Sequence, residues 1–443
     1  MRKRLISCLL SLVLICSLLP ANVLAEELRD EPIPTAEEVL SETEEPKAPM
    51  KTEESEAPAE PETPLSASAV RDSGEGTLAE EEPDPEVFAA EIVREGEETQ
   101  KFRTLTEAVA AVRAGDMIRL LTDVTESITI SGPLTLNLNG KTLKSAANSR
   151  AVNIDIKASA EGKQVTIQNG TITGGNGQQL GGGIFVSGAD LTLEDCTVSG
   201  NSAQLGGGGI YMTGGADVQI RGGGICENTA YNGGGIYMTT SSGCPNTVCT
   251  IDGTRITGNK AKANGAGIAA MGGHFSDNGI VAKLVVKGNT EISGNAAGGS
   301  GGGVWLSGNG ARFLMENGKI LENIARYDGG GICGLNWGGF TIEKGTIEKN
   351  TASGFVSRND NTLQNGQGGG IYIKANVRDA DDQAELADKL TLGNVTVTGN
   401  SSGQLGGGVC VDSYLHAKGI QADMETAEIY NNHAGVAGDD LFD

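Results

Sequence analysis

Side chains able to do acid–base or metal chemistry are few in this chain, and they are scattered. Glycoside hydrolysis and calcium ligation both need carboxylates close together. Adjacent aspartates occur only at Asp381-Asp382 and Asp439-Asp440. The three histidines, His274, His416 and His433, fall in three different repeat units. The calcium-binding Gly-Gly-x-Gly-x-Asp nonapeptide is absent. Cys196, Cys226, Cys244, Cys249, Cys333 and Cys410 lie beyond residue 25 at unrelated repeat positions and include no Cys-x-x-Cys pair, so structural zinc is not indicated. Cys244 and Cys249 are near enough in sequence to staple one loop. No catalytic constellation is recognisable, and neither a metal nor a cofactor is expected.

Two arrangements carry binding chemistry instead. One is a column of residues directly after a recurring glycine run: Phe185, Tyr211, Tyr237, Ala269, Trp305, Cys333, Tyr372 and Cys410. Five of the chain's 17 aromatic residues stand in it, more than scatter gives. Strand alternation points the column outward, where rings in a row can bind sugar rings; the competing reading is that they stack on one another and hold adjacent coils together. The other arrangement is a set of long loops. From the isoleucine closing a glycine run to the next strand takes 16 residues at Ile268–Leu284 and 19 at Ile371–Leu390, against 7 or 8 in short units. These loops leave the same turn and so project from one side, a common site of binding in repeat proteins, with tolerated loop drift as the alternative. With the units of Ile236 and Val409, which are also extended, they carry His274, Phe275, Asp277, Arg378, Asp379, Asp381, Asp382, Tyr414 and His416. The candidate binding residues are therefore Phe185, Tyr211, Tyr237, Trp305, Tyr372, His274, Asp379, Asp381 and Asp382.

The elements that position these residues follow from repetition. A glycine run closes on Ile184, Ile210, Ile236, Ile268, Val304, Ile332, Ile371 and Val409, at intervals of 26 to 39 residues. Between runs stands Ile/Val-x-x-Asn-x-Ala, with its asparagine at Asn201, Asn228, Asn259, Asn295, Asn323, Asn350, Asn400 and Asn432; Ser402 replaces the alanine once. Such a period means stacked units that bury their apolar faces on their neighbours. Each unit has three short apolar segments, in the first Ile184-Phe185-Val186, Leu191-Thr192-Leu193 and Thr197-Val198, alternating and glycine-bounded as strands are. Three strands per coil predict an all-β, right-handed parallel β-helix solenoid of about ten coils. Glycine supplies positive φ at sharp bends, and asparagine tolerates the left-handed region while offering its amide to the same amide one coil away.

The ends bound the rest. Arg2, Lys3 and Arg4, the apolar run Leu5–Leu19 and the small-residue ending Val23-Leu24-Ala25 predict a signal peptide, residues 1–25, cut between Ala25 and Glu26. Residues 26–86 hold nine of the twelve prolines, no aromatic residue, and 21 acidic against 4 basic side chains. That composition predicts a disordered acidic tether. Residues 87–150 read as an N-terminal cap and the first coils, and 151–443 as the glycine-rich repeats. In the cap, Thr104-x-x-Glu107 has capping-box spacing, and Leu105, Ala108, Val109 and Val112 share one helical face. With the leader and the tether set aside, 36 acidic against 26 basic side chains remain, a mildly acidic body, which argues against a nucleic-acid partner.

The paired signals Gly-Gly-Gly-Ile/Val and Ile/Val-x-x-Asn resemble the repeats of chlamydial-type polymorphic membrane proteins and of bacterial pectin-lyase-like β-helix surface proteins, over residues 100 to 443. The residue three before the asparagine is Ile or Val here, where the chlamydial family prefers Phe. Pectin-hydrolysing relatives of that fold carry Asn-Thr-Asp and His-Gly stretches, and this chain has neither. The resemblance implies a secreted or cell-surface, adhesin-like binding module whose ligand is a polysaccharide or host glycan. A polysaccharide lyase or glycosidase, or a passive surface spacer, is the alternative on the same fold.

Overall fold

The computed structural model describes residues 87–442 apart from 157–161, 178, 274–280, 309, 336–338, 358–361, 376–388, 414–420 and 424–425. The expected leader with its Ala25–Glu26 junction and the acidic segment 26–86 lie outside the described residues, as do His274, Asp379, Asp381 and Asp382.

One turn of the chain shows how the repeat folds. Ile184–Ser187 is followed by Asp190–Ser199, which bends at Asp195 (φ 48°), and then by the two-residue strand Ser202–Ala203. The glycine run then returns the chain to Ile210–Thr213. Strands pair in parallel with their equivalents one turn on, setting Ile184 beside Ile210, Leu191 beside Val218 and Val198 beside Ile225. Stacking produces three sheets of 11, 20 and 9 strands, a parallel β-solenoid. The 11-stranded sheet counts the turns, one more than the ten or so expected. The two-residue strand after each asparagine is a fourth segment, too short to show in an apolar pattern.

Inward side chains form continuous apolar ladders. Val198, Ile225, Ile256, Ile292, Ile320, Ile347 and Val397 are fully buried in one of them. Beside it the alanines of Asn-x-Ala pack under the short strands, Ala261, Ala325 and Ala352 at 0 % exposure. Ser402 interrupts this column at 3 % exposure, and its Oγ has no hydrogen-bond partner among the described residues. Ser402→Ala is therefore expected to raise stability by about 1 kcal/mol, because an unsatisfied hydroxyl is removed from a site shaped for a methyl group. Thermal unfolding of the two proteins checks this.

The asparagines are buried and form an unbroken amide ladder. Oδ1 of each one from Asn228 to Asn432 accepts both the backbone N–H and the side-chain amide of the asparagine one turn earlier, at 2.8–3.1 Å. Each Nδ2 also donates to the Ile or Val carbonyl of the preceding turn, Asn295 to Ile256 at 2.9 Å for example. Both donors and the acceptor are used, which is what burial of an amide requires. The left-handed residue of this corner is the one before the asparagine and not the asparagine itself: Gly200, Glu227, Gly258, Gly294, Glu322, Lys349, Gly399 and Asn431, at φ 54–65°. The third glycine of each run is required by space. A Cβ on Gly235 would stand 2.5 Å from the Gly267 carbonyl oxygen and 3.1 Å from the Asn259 amide.

Both ends are capped. The helix Leu105–Ala111 covers the first turns with Leu105 and Ala108 buried, and Val109 and Val112 packed beside them. Its capping box forms, and Glu126 also accepts the N–H groups of Leu105 and Thr106 at 2.8 and 2.9 Å. At the other end Gly438-Asp439-Asp440 occupies the place of a glycine run. Asp440 Oδ1 accepts from Asn432 N and Nδ2, both at 3.0 Å, as the asparagine of a further turn does elsewhere. Asp439 Oδ1 accepts the Ala434 N–H at 2.8 Å. This aspartate pair therefore supplies the last acceptors of the amide ladder among the described residues.

Candidate functional site

The aromatic column lies on the far side of its strands from the main core, as alternation requires, but it is not exposed. Tyr211, Tyr237, Trp305 and Tyr372 are 3–8 % accessible, and with Ala269, Cys333 and Cys410 they form a second core. The corner folds over them: a Cβ on Gly206 would stand 2.1 Å from the Tyr237 ring, so the glycine backbone lies directly on the aromatic face. Phe185, at the start of the row, is partly exposed; Arg150 stacks on it at 4.5 Å and Tyr211 at 5.5 Å. From Tyr237 onward large and small residues alternate (Tyr237, Ala269, Trp305, Cys333, Tyr372, Cys410), which fits bulky rings into a spacing of about 4.8 Å per turn. Tyrosine hydroxyls tie one turn to the next, Tyr211 to Thr239 Oγ1 at 2.8 Å and Tyr372 to Asp412 Oδ2 at 3.1 Å. Burial pushes the Tyr237 hydroxyl upward in pKa, with the Tyr211 hydroxyl adding to it.

A polar seam runs alongside this second core, one residue before each glycine run. Asn232 Oδ1 accepts the Asn264 N–H at 3.0 Å, Asn264 Oδ1 accepts that of Ser300 at 2.9 Å, and Ser300 Oγ that of Asp328 at 3.3 Å. Asp328 Oδ1 in turn accepts the Gln367 N–H at 3.0 Å. Burial raises the Asp328 carboxyl to about 6, against the lowering effect of the Gln367 and Gly366 N–H groups and of Lys374; Asp412 adds to the rise.

The cysteines do no visible chemistry. All six are thiols. Cys249 stands in the inward column between Val218 and Leu284 at 0 % exposure, so the staple to Cys244 does not form. Burial raises the Cys249 thiol to about 12 and that of Cys196 to about 11, both held protonated at neutral pH. Among the described residues no group of His, Cys, Asp and Glu is placed to hold a metal ion, and no helix is long and apolar enough to cross a membrane.

Concave surface occurs instead on the outside of the 20-stranded sheet. A depression of about 380 Å³ spans three turns and is walled by Gln164, Thr166, Asp190, Thr192, Asp217, Gln219 and Arg221. Register explains the array: Gln164, Asp190 and Asp217 form one column, and Thr166, Thr192 and Gln219 the next. Lys163 Nζ holds Asp190 at 2.8 Å. The Asp217 carboxyl is raised by burial and by Asp190, and Lys163 opposes the rise. A second depression, of about 270 Å³, lies at the bend of the same sheet, further along the solenoid. None of these residues stood out in the sequence, because ordinary outward Gln, Thr and Asp become a site only once register aligns them.

Ladders of this kind define a class, the parallel β-solenoids built from stacked corner motifs. Within it, residues 195–213 match the Chlamydia polymorphic membrane protein repeat, a stretch that runs from the sheet bend through Asn201 and the glycine run to Thr213. No curated protein and no solved structure matches the chain.

Proposed function

We propose that this chain is a surface-displayed solenoid of adhesin type that binds an extended polar polymer, a glycan, on the outer face of its long sheet. The observation that carries this reading is the depression over Asp190 and Asp217. It presents amides, hydroxyls, carboxylates and a guanidinium in a row across successive turns. A spacing of about 4.8 Å per turn is close to the length of one sugar unit, so a linear glycan meets a similar donor and acceptor set at each step. The match to a membrane-protein repeat, together with the expected leader and tether, supports display outside the cell. The buried rings of Tyr211, Tyr237, Trp305 and Tyr372 serve cohesion of the stack in this reading.

The test uses the purified full chain against plant, mucin and bacterial polysaccharides, with retained protein and polymer length followed together. Retention without shortening is expected, and Gln219→Arg, which fills the depression, is expected to weaken it tenfold or more. Retention that ignores Gln219→Arg rules out this depression. Shortened polymer favours a second reading, hydrolysis by Asp190 and Asp217. These are in-register carboxylates in unequal environments, a pairing that suits an acid and a nucleophile.

A further inference from the structure

The chain carries nine Asn-Gly pairs, seven of them within the described residues. Such a pair is chemically labile, because glycine has no Cβ to keep its own backbone nitrogen from closing on the preceding side-chain amide. None of the eight asparagines in the repeated Ile/Val-x-x-Asn motif is followed by glycine, so the buried amide ladder is spared this reaction. The labile pairs stand elsewhere. Six of the seven are held, either in a strand ladder or by a hydrogen bond from the glycine N–H that would have to react.

Gly140 donates to Asn169 O at 2.6 Å, Gly233 to Asn264 O at 3.0 Å and Gly265 to Ser300 O at 3.0 Å. The Gly366 N–H is directed at Asp328 and that of Gly170 at Cys196. Gly177 pairs with Ala203 inside the 9-stranded sheet. Asn317-Gly318 is the exception. It forms the bend between the strands Ala311–Met315 and Lys319–Leu321. Its flanks are anchored to the preceding turn, Glu316 N to Val286 O and Lys319 N to Thr290 O, both at 2.9 Å. Among the described residues, however, neither the Gly318 N–H nor the Asn317 side chain makes a hydrogen bond. Both residues line the second depression, which at about 270 Å³ admits water.

We propose that Asn317-Gly318 is a site of spontaneous covalent modification, independent of the glycan reading. The Gly318 nitrogen gives its proton to solvent and bonds to Asn317 Cγ, the Cγ–Nδ2 bond breaks, and ammonia leaves. The succinimide ring so closed takes up water and opens to an aspartyl or an isoaspartyl link. Water is the only co-reactant, and nothing is oxidised or reduced. Adjacent residues already hold the two groups together, so the rate is decided by whether either is engaged elsewhere. Either product sets a carboxylate in the wall of a depression that is lined by Lys319 and Lys344 and by no carboxylate beforehand. The isoaspartyl link also lengthens the bend by a backbone carbon. The modified fraction therefore records the age of the molecule.

The test ages the purified full chain at mildly alkaline pH, folded and in urea. Each Asn-Gly peptide is followed by mass and by isoaspartyl-specific enzymatic methylation. In urea the pairs share one chemistry, and each pair's rate there serves as its own reference. Relative to that reference, Asn317 is expected to convert about tenfold or more faster in the folded chain than each of the six held pairs, because a ladder must open locally before its N–H can react. A smaller lead over any one of the six overturns the proposal, since the free N–H at Gly318 would then confer no lability of its own.

Discussion

Asn295→Ala is expected to destabilise the solenoid by about 3–5 kcal/mol, a large share of the stability of any folded domain. The Asn295 amide is fully buried, its Oδ1 accepts from Asn259 N and Nδ2 at 2.9 and 3.0 Å, and its Nδ2 donates to Ile256 O and Asn323 Oδ1 at 2.9 and 2.8 Å. Alanine strands three groups on the preceding turn, the N–H and amide of Asn259 and the carbonyl of Ile256, each at a cost of about 1–3 kcal/mol that partial water entry reduces. In a stack held by nearest-neighbour contacts, the loss falls on one interface. Denaturant unfolding is therefore expected to split into two steps, the turns before and after residue 295 melting apart. A single transition within about 1 kcal/mol of the parent's stability would show that the ladder is dispensable.

Asn295→Asp separates the two functions of the amide. A carboxylate can accept from Asn259 but cannot donate to Ile256 or Asn323, and it carries charge into a dry corner. Asp440 makes the same acceptor contacts at the end of the ladder, where no further donation is asked of it and its residue is partly exposed. An aspartate thus ends the ladder where an asparagine continues it.

That contrast marks how far the sequence could be read. The apolar ladders and the amide ladder were legible because each rests on a residue type recurring at a fixed place in the period, and the capping helix because Thr104-x-x-Glu107 and one apolar face mark it locally, with physics that permits few other uses. Glu227, Glu322 and Lys349 gave no sign that they take the left-handed position, since the residue type there varies while the backbone does not. Outward direction was legible for Tyr237 and Trp305, but burial was not. On a free sheet the two mean opposite things, and only the glycine corner closing over the rings reverses that. Asp439-Asp440 read as an acidic pair. Its use as a substitute for a further turn depends on its standing in the second and third glycine positions, where Gly407 and Gly408 stand one turn earlier. The two depressions left no periodic trace at all, because their residues share register without sharing a type.

The seam beside the aromatic core supplies the second large effect, and its sign is opposite. Asp328 fills a position that Asn232 and Asn264 fill elsewhere, and like them it accepts one backbone N–H from the next turn. Burial lifts its carboxyl to about 6, above the value of about 4 expected in the unfolded chain. The folded state therefore binds the proton more tightly. Below pH 4 the carboxyl is neutral in both states and imposes no penalty; as pH rises from about 4 through about 6 the folded protein must carry a buried charge, and stability falls. The full difference is about 2–3 kcal/mol, of which about 2 survives the partial solvent exposure of the side chain. An asparagine at this position keeps the acceptor for Gln367 and removes the charge, so Asp328→Asn is expected to add about 2 kcal/mol at pH 7.5 and almost nothing at pH 4. Unfolding of both proteins at unit steps from pH 4 to 8 isolates this residue and its electrostatic neighbours Asp412 and Lys374, since groups that do not interact with Asp328 cancel in the difference. Parallel stability curves would place the Asp328 carboxylate in ordinary solvent, and a variant less stable at pH 7.5 would mean that the charge itself holds the seam to Gln367.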